Sequence, residues 1–190
     1  MCGLYPFPVF EDGAFTVPNA YVAADAPGMQ ALLQKNEERT VRITIDSSAA
    51  EAESRQPVYR LPGADPAIVV CAHVDTKYGT PGATDNAAGV AAMFGAMERL
   101  RDAEIGRRVE FVPFNGEEYY GVAGQLAYLA DREPTPANTQ LVINLDGLGY
   151  RGSKNAFSCY NADDRLAGQT ERAARGVPET VPGDDWIAGD

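Results

Sequence analysis

The only histidine of the chain, His73, lies where an apolar run gives way to polar, glycine-rich sequence. Asp75 follows two residues later, and such a pair can supply the carboxylate or carbonyl oxygen that a metal-ligating imidazole needs at its second nitrogen. A lone histidine is more often a loop or core residue than a ligand, so His73 is weak evidence by itself. With Asp75 beside it, in a chain of 27 carboxylates, it suggests a metal site.

Acidic residues recur at three further points, namely Asp85, the pair Glu117 and Glu118, and Asp146. Each has an ordinary explanation, because Asp85 could cap the following helix, adjacent glutamates are commonly a solvated pair, and Asp-Gly sequences favour turns. A charged pair directly after an apolar run is nevertheless unusual for surface sequence. The interpretation therefore depends on the elements that position these residues.

Strands and helices alternate from residue 57 onwards. The apolar patterns predict strands over 67–71, 109–114 and 141–145, with helices over 90–100, 122–130 and 164–175, the last ended by Gly176. This order is typical of an α/β fold, a three-layer sandwich whose mostly parallel sheet is covered by helices on both faces. Open sheets of this kind bind ligands beyond the carboxyl ends of their strands, so the acidic residues and His73 are predicted to converge there.

The first part of the chain has a different pattern. A helix is predicted to begin near Pro27, with Met29, Leu32 and Leu33 on its apolar side, and alternating residues predict a half-buried strand over 41–45. The small and polar residues 46–54 predict a connector. We therefore place a domain boundary near residue 55.

Composition narrows the function classes. A formal charge of −11 with scattered basic residues argues against a surface that binds nucleic acid. It favours the binding of metal cations or of a substrate amine. No apolar run approaches the roughly 18 residues needed to span a bilayer, so no membrane span is predicted. The cysteines Cys2, Cys71 and Cys159 are too widely spaced for a disulfide framework and are predicted to be small buried residues.

Four segments together resemble the M28 family of zinc aminopeptidases and carboxypeptidases: residues 72–76, 81–91, 115–121 and 144–147. Their order and spacing agree with the family, whereas the M20 family, which shares the ligand types, usually differs between the first His and the bridging Asp. The resemblance implies the fold of a zinc-dependent exopeptidase of the phosphorylase/hydrolase-like type for residues 56–190. Residues 1–55 resemble, more weakly, the end of an inserted protease-associated (PA) domain with its connector.

The resemblance also implies roles for the acidic residues. His73 and Asp146 would hold one zinc, and Asp85 would bridge to a second zinc held also by Glu118. Asp75 would orient His73. A cis peptide bond would follow Asp85.

Catalysis in the family implies a hydrolytic water activated by two zinc ions. Glu117 would act as general base and acid, taking a proton from that water and delivering it to the leaving amine. The expected substrate is a peptide with a free N-terminus, and the expected function is that of an aminopeptidase.

The sequence departs from the family in one respect, because relatives supply a second histidine late in the chain and this sequence has none. In relatives that histidine often follows an aspartate, and this chain ends at Asp190. The resemblance therefore implies a truncated domain that lacks its closing strands, has an unprotected sheet edge, binds its second zinc weakly and has low activity until it is extended.

Two alternatives remain open at this point. One is a peptidase-like binding module without catalysis, which the missing histidine favours and the retained Glu117 and Glu118 oppose. The other is a single-zinc acyl transferase of the glutaminyl cyclase type.

The resemblance suggests a secreted or periplasmic location.

Overall fold

The computed structural model describes residues 9–10, 13–14, 28, 42, 44, 50–77, 79–118, 121–135 and 137–183. The chain divides into two compact units, Met1–Ser54 with Tyr119–Gly121, and Arg55–Glu118 with Val122–Asp190. In the first unit, β1 (Val9–Phe10) pairs antiparallel with β2 (Gly13–Ala14). The predicted helix after Pro27 lies outside the described residues. Of the predicted strand over 41–45, only Arg42 and Thr44 are described, and neither belongs to a strand.

A four-stranded sheet forms the centre of the second unit. β4 is parallel to both of its neighbours, β5 and β6, and β3 is antiparallel to β5, which gives the order β3-β5-β4-β6. The strand bounds are Tyr59–Leu61 for β3, Ala64–His73 for β4, Arg107–Phe114 for β5 and Thr139–Asn144 for β6.

Helices connect these parallel strands. A wide turn, Ala83–Ala87, leads into α1 (Ala88–Leu100) between β4 and β5, and α2 (Ala123–Arg132) connects β5 to β6. After β6 come β7 (Asn155–Phe157), α3 (Asp164–Arg175) and β8 (Thr180–Pro182), with β7 and β8 in a separate parallel pair. Within the described residues, no helix has both the length and the apolar character needed to cross a membrane.

The core has two layers because alternate residues of a strand face opposite sides of the sheet. On one side Val70, Ala72, Val109 and Phe111 pack with Met93 of α1. On the other side a second cluster joins the sheet to α2 through Val69, Cys71, Val112 and Tyr128. Helix, sheet and helix therefore form three layers, and the predicted α/β fold with a mostly parallel sheet is confirmed.

The element bounds differ from the predictions mainly in the strands. β4 begins three residues earlier than predicted, because Ala64 pairs with Arg107 of β5, and it continues to His73. The short strands β3, β7 and β8 are not predicted by apolar periodicity. In the four-stranded sheet, β6 is the edge strand next to β4, and Val142 and Ile143 of β6 are exposed.

Candidate metal centre

The carboxyl ends of β4 and β5 are held in register at the site. His73 is the last residue of β4 and lies opposite Phe114, the last residue of β5, and the Val74 N–H donates to the Phe114 carbonyl at 2.7 Å. The Glu117 and Glu118 pair follows Phe114 by only a few residues. The strand pairing therefore brings the two segments to the same edge of the sheet, as predicted from the sequence.

Three acidic side chains surround the Nε2 atom of His73. Asp85 Oδ1 lies 2.9 Å from Nε2, Asp146 Oδ1 lies 3.5 Å away, and Glu117 Oε2 lies 3.8 Å away. His73, Asp85 and Asp146 each offer one ligand atom, and these atoms all lie within 4.8 Å of one another. An imidazole nitrogen and two carboxylate oxygens at this spacing form a donor set that suits a divalent metal such as zinc.

The other ring nitrogen of His73 faces Asp75. Nδ1 lies 3.0 Å from the Asp75 carbonyl oxygen and 3.7 Å from its carboxylate. A neutral imidazole that donates Nδ1–H to this carbonyl presents the Nε2 lone pair to Asp85 and Asp146. The closest contact of Asp75 with the imidazole is thus made by its main-chain carbonyl rather than by its side chain.

The carboxylates also control the charge of the imidazole. Burial alone would lower the pKa of His73, but the negative charges of Asp146, Glu117 and Asp85, together with the hydrogen bond to the Asp75 carbonyl, raise the pKa above its ordinary value. The site therefore attracts positive charge. A proton on the imidazole is one form of that charge, and a metal ion is another.

The Asp75 carboxylate anchors the segment that follows β5. Its Oδ1 accepts a hydrogen bond from the Glu117 N–H and its Oδ2 from the Glu118 N–H, both at 3.1 Å. Because Asp75 contacts His73 through its carbonyl and these two amides through its carboxylate, it links the imidazole to both glutamates.

Asn86 joins the segments that carry Asp85 and Asp146. Its side-chain amide is buried and donates to the Leu145 carbonyl at 2.9 Å, while its Oδ1 accepts from the Gly89 N–H at 3.1 Å. A side chain at Gly89 would collide with both Asn86 and the Leu145 carbonyl, so this close approach requires glycine. The Asp85–Asn86 peptide bond is cis, as the family resemblance implied.

The alternative explanation of Asp85 as a helix cap receives no support from the geometry. Ala87 occupies the position before α1, and the first-turn amide of Gly89 donates to the Asn86 side chain rather than to Asp85. Asp85 instead directs its carboxylate at His73.

Glu118 has different surroundings from the other predicted ligands. Its side chain is only 8% exposed, its Oε1 accepts from the Lys77 N–H at 3.2 Å, and its Oε2 lies 3.2 Å from the Lys77 Nζ. In the part of the chain that the structure describes, the grouping of metal donors consists of His73, Asp85 and Asp146, without Glu118. The residues present thus fit one metal ion well and provide less for a second.

Lys77 and Asn86 also contact the segments that form the site, and neither was predicted as a site residue from the sequence. Asn86 lies inside segment 81–91 of the family resemblance and Lys77 directly follows segment 72–76, and these positions are the signal that could have identified them. A cavity of about 200 Å³ also opens beside His73 and Glu117, and its walls are mainly apolar, with Phe114, Leu129 and Val142 among them.

Known proteins resemble this chain in sequence. The profile described as Peptidase family M28 matches residues 58–182. The vacuolar membrane protease of Clavispora lusitaniae is 32% identical in an alignment 145 residues long that covers 73% of this chain and 14% of that protein. The corresponding protease of Yarrowia lipolytica is 33% identical over 92 residues, 48% of this chain and 9% of that protein. The chain therefore spans a small part of the length of these curated relatives.

Solved structures resemble the fold. LapB from Legionella pneumophila aligns with a TM-score of 0.51 and 21% identity over 64% of this chain and 35% of that one. Macrostomum lignano glutaminyl cyclase aligns with a TM-score of 0.48 and 20% identity over 63% of this chain and 43% of that one. At these identities the likeness to LapB concerns the fold alone, and the likeness to the cyclase carries no functional argument.

Proposed function

The chain belongs to the M28 peptidase family, and on that premise we propose that it forms the catalytic centre of a zinc-dependent exopeptidase, most specifically an aminopeptidase. His73, Asp85 and Asp146 hold a zinc ion, and Glu117 serves as general base and acid. Residues 56–190 are the catalytic domain in this proposal. Residues 1–55 are the end of a PA-like inserted domain and its connector, which is supported by the division of the chain after Ser54.

The position of Glu117 is the observation that carries this proposal. Its carboxylate lies 3.8 Å from His73 Nε2, yet it stands outside the set of three closely grouped donors. A general base has to be adjacent to the metal without being one of its ligands, so that it can accept a proton from the attacking water. Asp75 supports this placement by fixing the Glu117 main chain.

Zinc at such a site supplies Lewis acidity, which polarises a carbonyl and lowers the pKa of water from about 16 towards neutrality. The protein supplies the rest of the chemistry. The Glu117 carboxylate accepts the proton of the attacking water and later delivers it to the leaving amine. His73, fixed by the Asp75 carbonyl, keeps its Nε2 directed at the two aspartates.

The acidic surroundings support a substrate with a positive charge. Asp75, Asp85, Glu117 and Asp146 gather around one imidazole, and such a group attracts the free ammonium of a peptide N-terminus. This is the basis for preferring an aminopeptidase to a carboxypeptidase. The names of the relatives place those proteins at a vacuolar membrane, and a compartment outside the cytosol is the corresponding proposal for this chain.

The direct test compares the protein with its Glu117→Gln variant on peptides that have either a free or an acetylated N-terminus. Loss of the general base is expected to lower kcat by about 10²–10⁴-fold, with zinc content unchanged. Glu98→Gln, which removes an exposed glutamate of α1, is the matched control and is expected to keep full activity.

The outcomes separate the alternatives. Full activity of Glu117→Gln would contradict the role of Glu117. Hydrolysis that is equally fast on acetylated peptides would contradict an aminopeptidase while leaving a peptidase. Zinc binding without hydrolysis of any peptide would favour the binding module, and cyclisation of N-terminal glutamine would favour the acyl transferase.

A further inference from the structure

Glu118, which the family resemblance implies as a ligand of a second zinc, is in contact with a charged side chain of this chain. Lys77 engages Glu118 with two of its atoms, the backbone N–H at Oε1 and the side-chain ammonium at Oε2, both at 3.2 Å. Each oxygen of this carboxylate therefore has a donor from the same residue. A metal ion that binds Glu118 would have to displace at least the ammonium.

Burial strengthens this contact. The Glu118 side chain is 8% exposed, whereas Lys77 is 47% exposed, so the ammonium reaches a nearly buried carboxylate from the solvent side. Hydrogen bonds between charged groups are stronger than neutral ones, and removal from water increases the electrostatic attraction. The main chain of Glu118 is meanwhile fixed by its N–H bond to Asp75. The carboxylate is thus held in one place beside Lys77.

We infer that Lys77 acts as a built-in cation that satisfies Glu118 and restricts the site to one tightly bound metal ion, held by His73, Asp85 and Asp146. This inference rests on the metal binding proposed above. It adds that Lys77, a residue outside the predicted ligand set, is a positioning residue that determines the metal count. The charge that a second zinc would bring to Glu118 is already provided by the ammonium.

The inference is tested by measuring zinc affinities in competition with a chromophoric chelator, a readout that does not depend on activity. The protein is expected to bind one zinc ion tightly. A second ion, for which the sequence offers only Asp85 and Glu118, is expected to bind at least about a hundredfold more weakly, since the Lys77 ammonium occupies Glu118. Lys77→Gln and Lys77→Met are expected to tighten the second binding step about tenfold or more, as the competing ammonium is removed.

Matched variants separate charge from side-chain size. Lys77→Arg keeps the cation and is expected to behave like the unmodified protein, and Lys154→Gln removes an exposed lysine elsewhere and is expected to change nothing. Combining Lys77→Gln with Glu118→Gln is expected to abolish the gained affinity. Circular dichroism verifies that each variant is folded.

Glu118→Gln alone gives an independent reading, because it leaves Lys77 intact. The affinity of the tight ion is expected to stay within about threefold of the original value, since Glu118 is not one of its ligands. A loss of more than about tenfold in this variant would overturn the inference.

Two other results would overturn the inference while leaving the proposed metal site standing. One is that the unmodified protein binds two zinc ions with similar affinity, and the other is that the second binding step is unchanged in both Lys77→Gln and Lys77→Met. Absence of any zinc binding would overturn this inference together with the metal-dependent part of the proposed function.

Discussion

Two acidic regions of the same sheet surround their carboxylates in opposite ways. Glu110, in the middle of β5, is 1% exposed and lies within 3.5 Å of guanidinium nitrogens of Arg60, Arg108 and Arg132. Tyr128 also donates its hydroxyl hydrogen to Glu110 at 2.8 Å. At the carboxyl end of the strands, by contrast, four carboxylates surround the imidazole of His73.

The difference is one of charge balance. The Glu110 cluster, defined as Glu110, Asp65 and the three arginines with Tyr128, has two carboxylates among three guanidinium groups, because Arg108 and Arg132 also contact Asp65. It supplies its own counter-charge. The His73 site, defined as His73, Asp75, Asp85, Glu117 and Asp146, has more negative than positive charge and is suited to receive a cation. The first region is therefore expected to determine stability and the second to determine metal binding.

The largest expected effect is on zinc affinity, from removal of the imidazole. In His73→Gln the protein loses a proposed zinc ligand, and since four ligands together contribute about 10–16 kcal/mol in zinc-binding peptides, one ligand corresponds to about 2.5–4 kcal/mol, or on the order of a hundredfold to a thousandfold in Kd. Chelator competition measures this change. A loss below about tenfold would show that His73 is not a ligand.

A loss of stability is expected next, from Glu110→Gln. The variant leaves Arg60 without this carboxylate and Arg108 and Arg132 with Asp65 alone, and breaking a buried ion pair in this way costs about 3 kcal/mol. Urea unfolding measures the free energy of unfolding, with Glu98→Gln as a surface control that stays within about 0.5 kcal/mol. Zinc affinity should be unchanged, and a parallel loss of zinc binding would contradict the separation of the two regions.

Asp75→Asn is expected to have an intermediate effect on zinc binding. Residues that orient a ligand typically change metal affinity by about 10–100-fold, and the lower end is expected because the Asp75 carbonyl, which contacts His73, remains. The substitution removes the negative charge that lies 3.7 Å from His73 Nδ1, and it weakens the hydrogen bonds that fix the amides of Glu117 and Glu118. Asp102→Asn, at an exposed aspartate, is the control. Equal zinc affinities in the two variants would show that the Asp75 carboxylate does not support metal binding.

The smallest effect is expected from Tyr128→Phe, at about 1 kcal/mol of unfolding free energy, because one hydrogen bond to Glu110 is lost. Burial, followed by the hydrogen bond and the negative charge of Glu110, raises the pKa of Tyr128 to about 12, against the weaker opposing effect of Arg132. The unfolded tyrosine ionises near pH 10, so the stabilising contribution is complete below about pH 10 and is lost as the pH rises towards 12. Denaturation of both proteins between pH 8 and pH 11.5 should show their difference shrinking, and a constant difference would contradict this cause.

The sequence was most informative where structure is local. The predicted bounds of helix α3 agree with the observed ones, and its last turn is followed by Gly176, the predicted stop. Asp163 caps its start by accepting the Leu166 N–H. The start of β4 was missed because it depends on pairing of Ala64 with Arg107, which are distant in the chain. Local patterns cannot register such a partner.

The same distinction applies to the site. The convergence of the carboxyl ends of β4, β5 and β6 was predictable from the sequence because parallel strands end at the same edge of a sheet. The contact between Lys77 and Glu118 depends instead on how two loops fold over that edge, 41 residues apart in sequence. The Glu110 cluster had one signal that was overlooked, a glutamate inside the apolar run of β5.

X-ray absorption spectroscopy on the zinc-loaded protein tests the central claim most directly. One imidazole nitrogen and carboxylate oxygens are expected at about 2.0–2.2 Å, without sulfur, and the imidazole scattering should disappear in His73→Gln. A zinc–sulfur distance of about 2.3 Å, which would indicate a cysteine ligand, or a spectrum without imidazole scattering in the unmodified protein, would contradict the site of His73, Asp85 and Asp146.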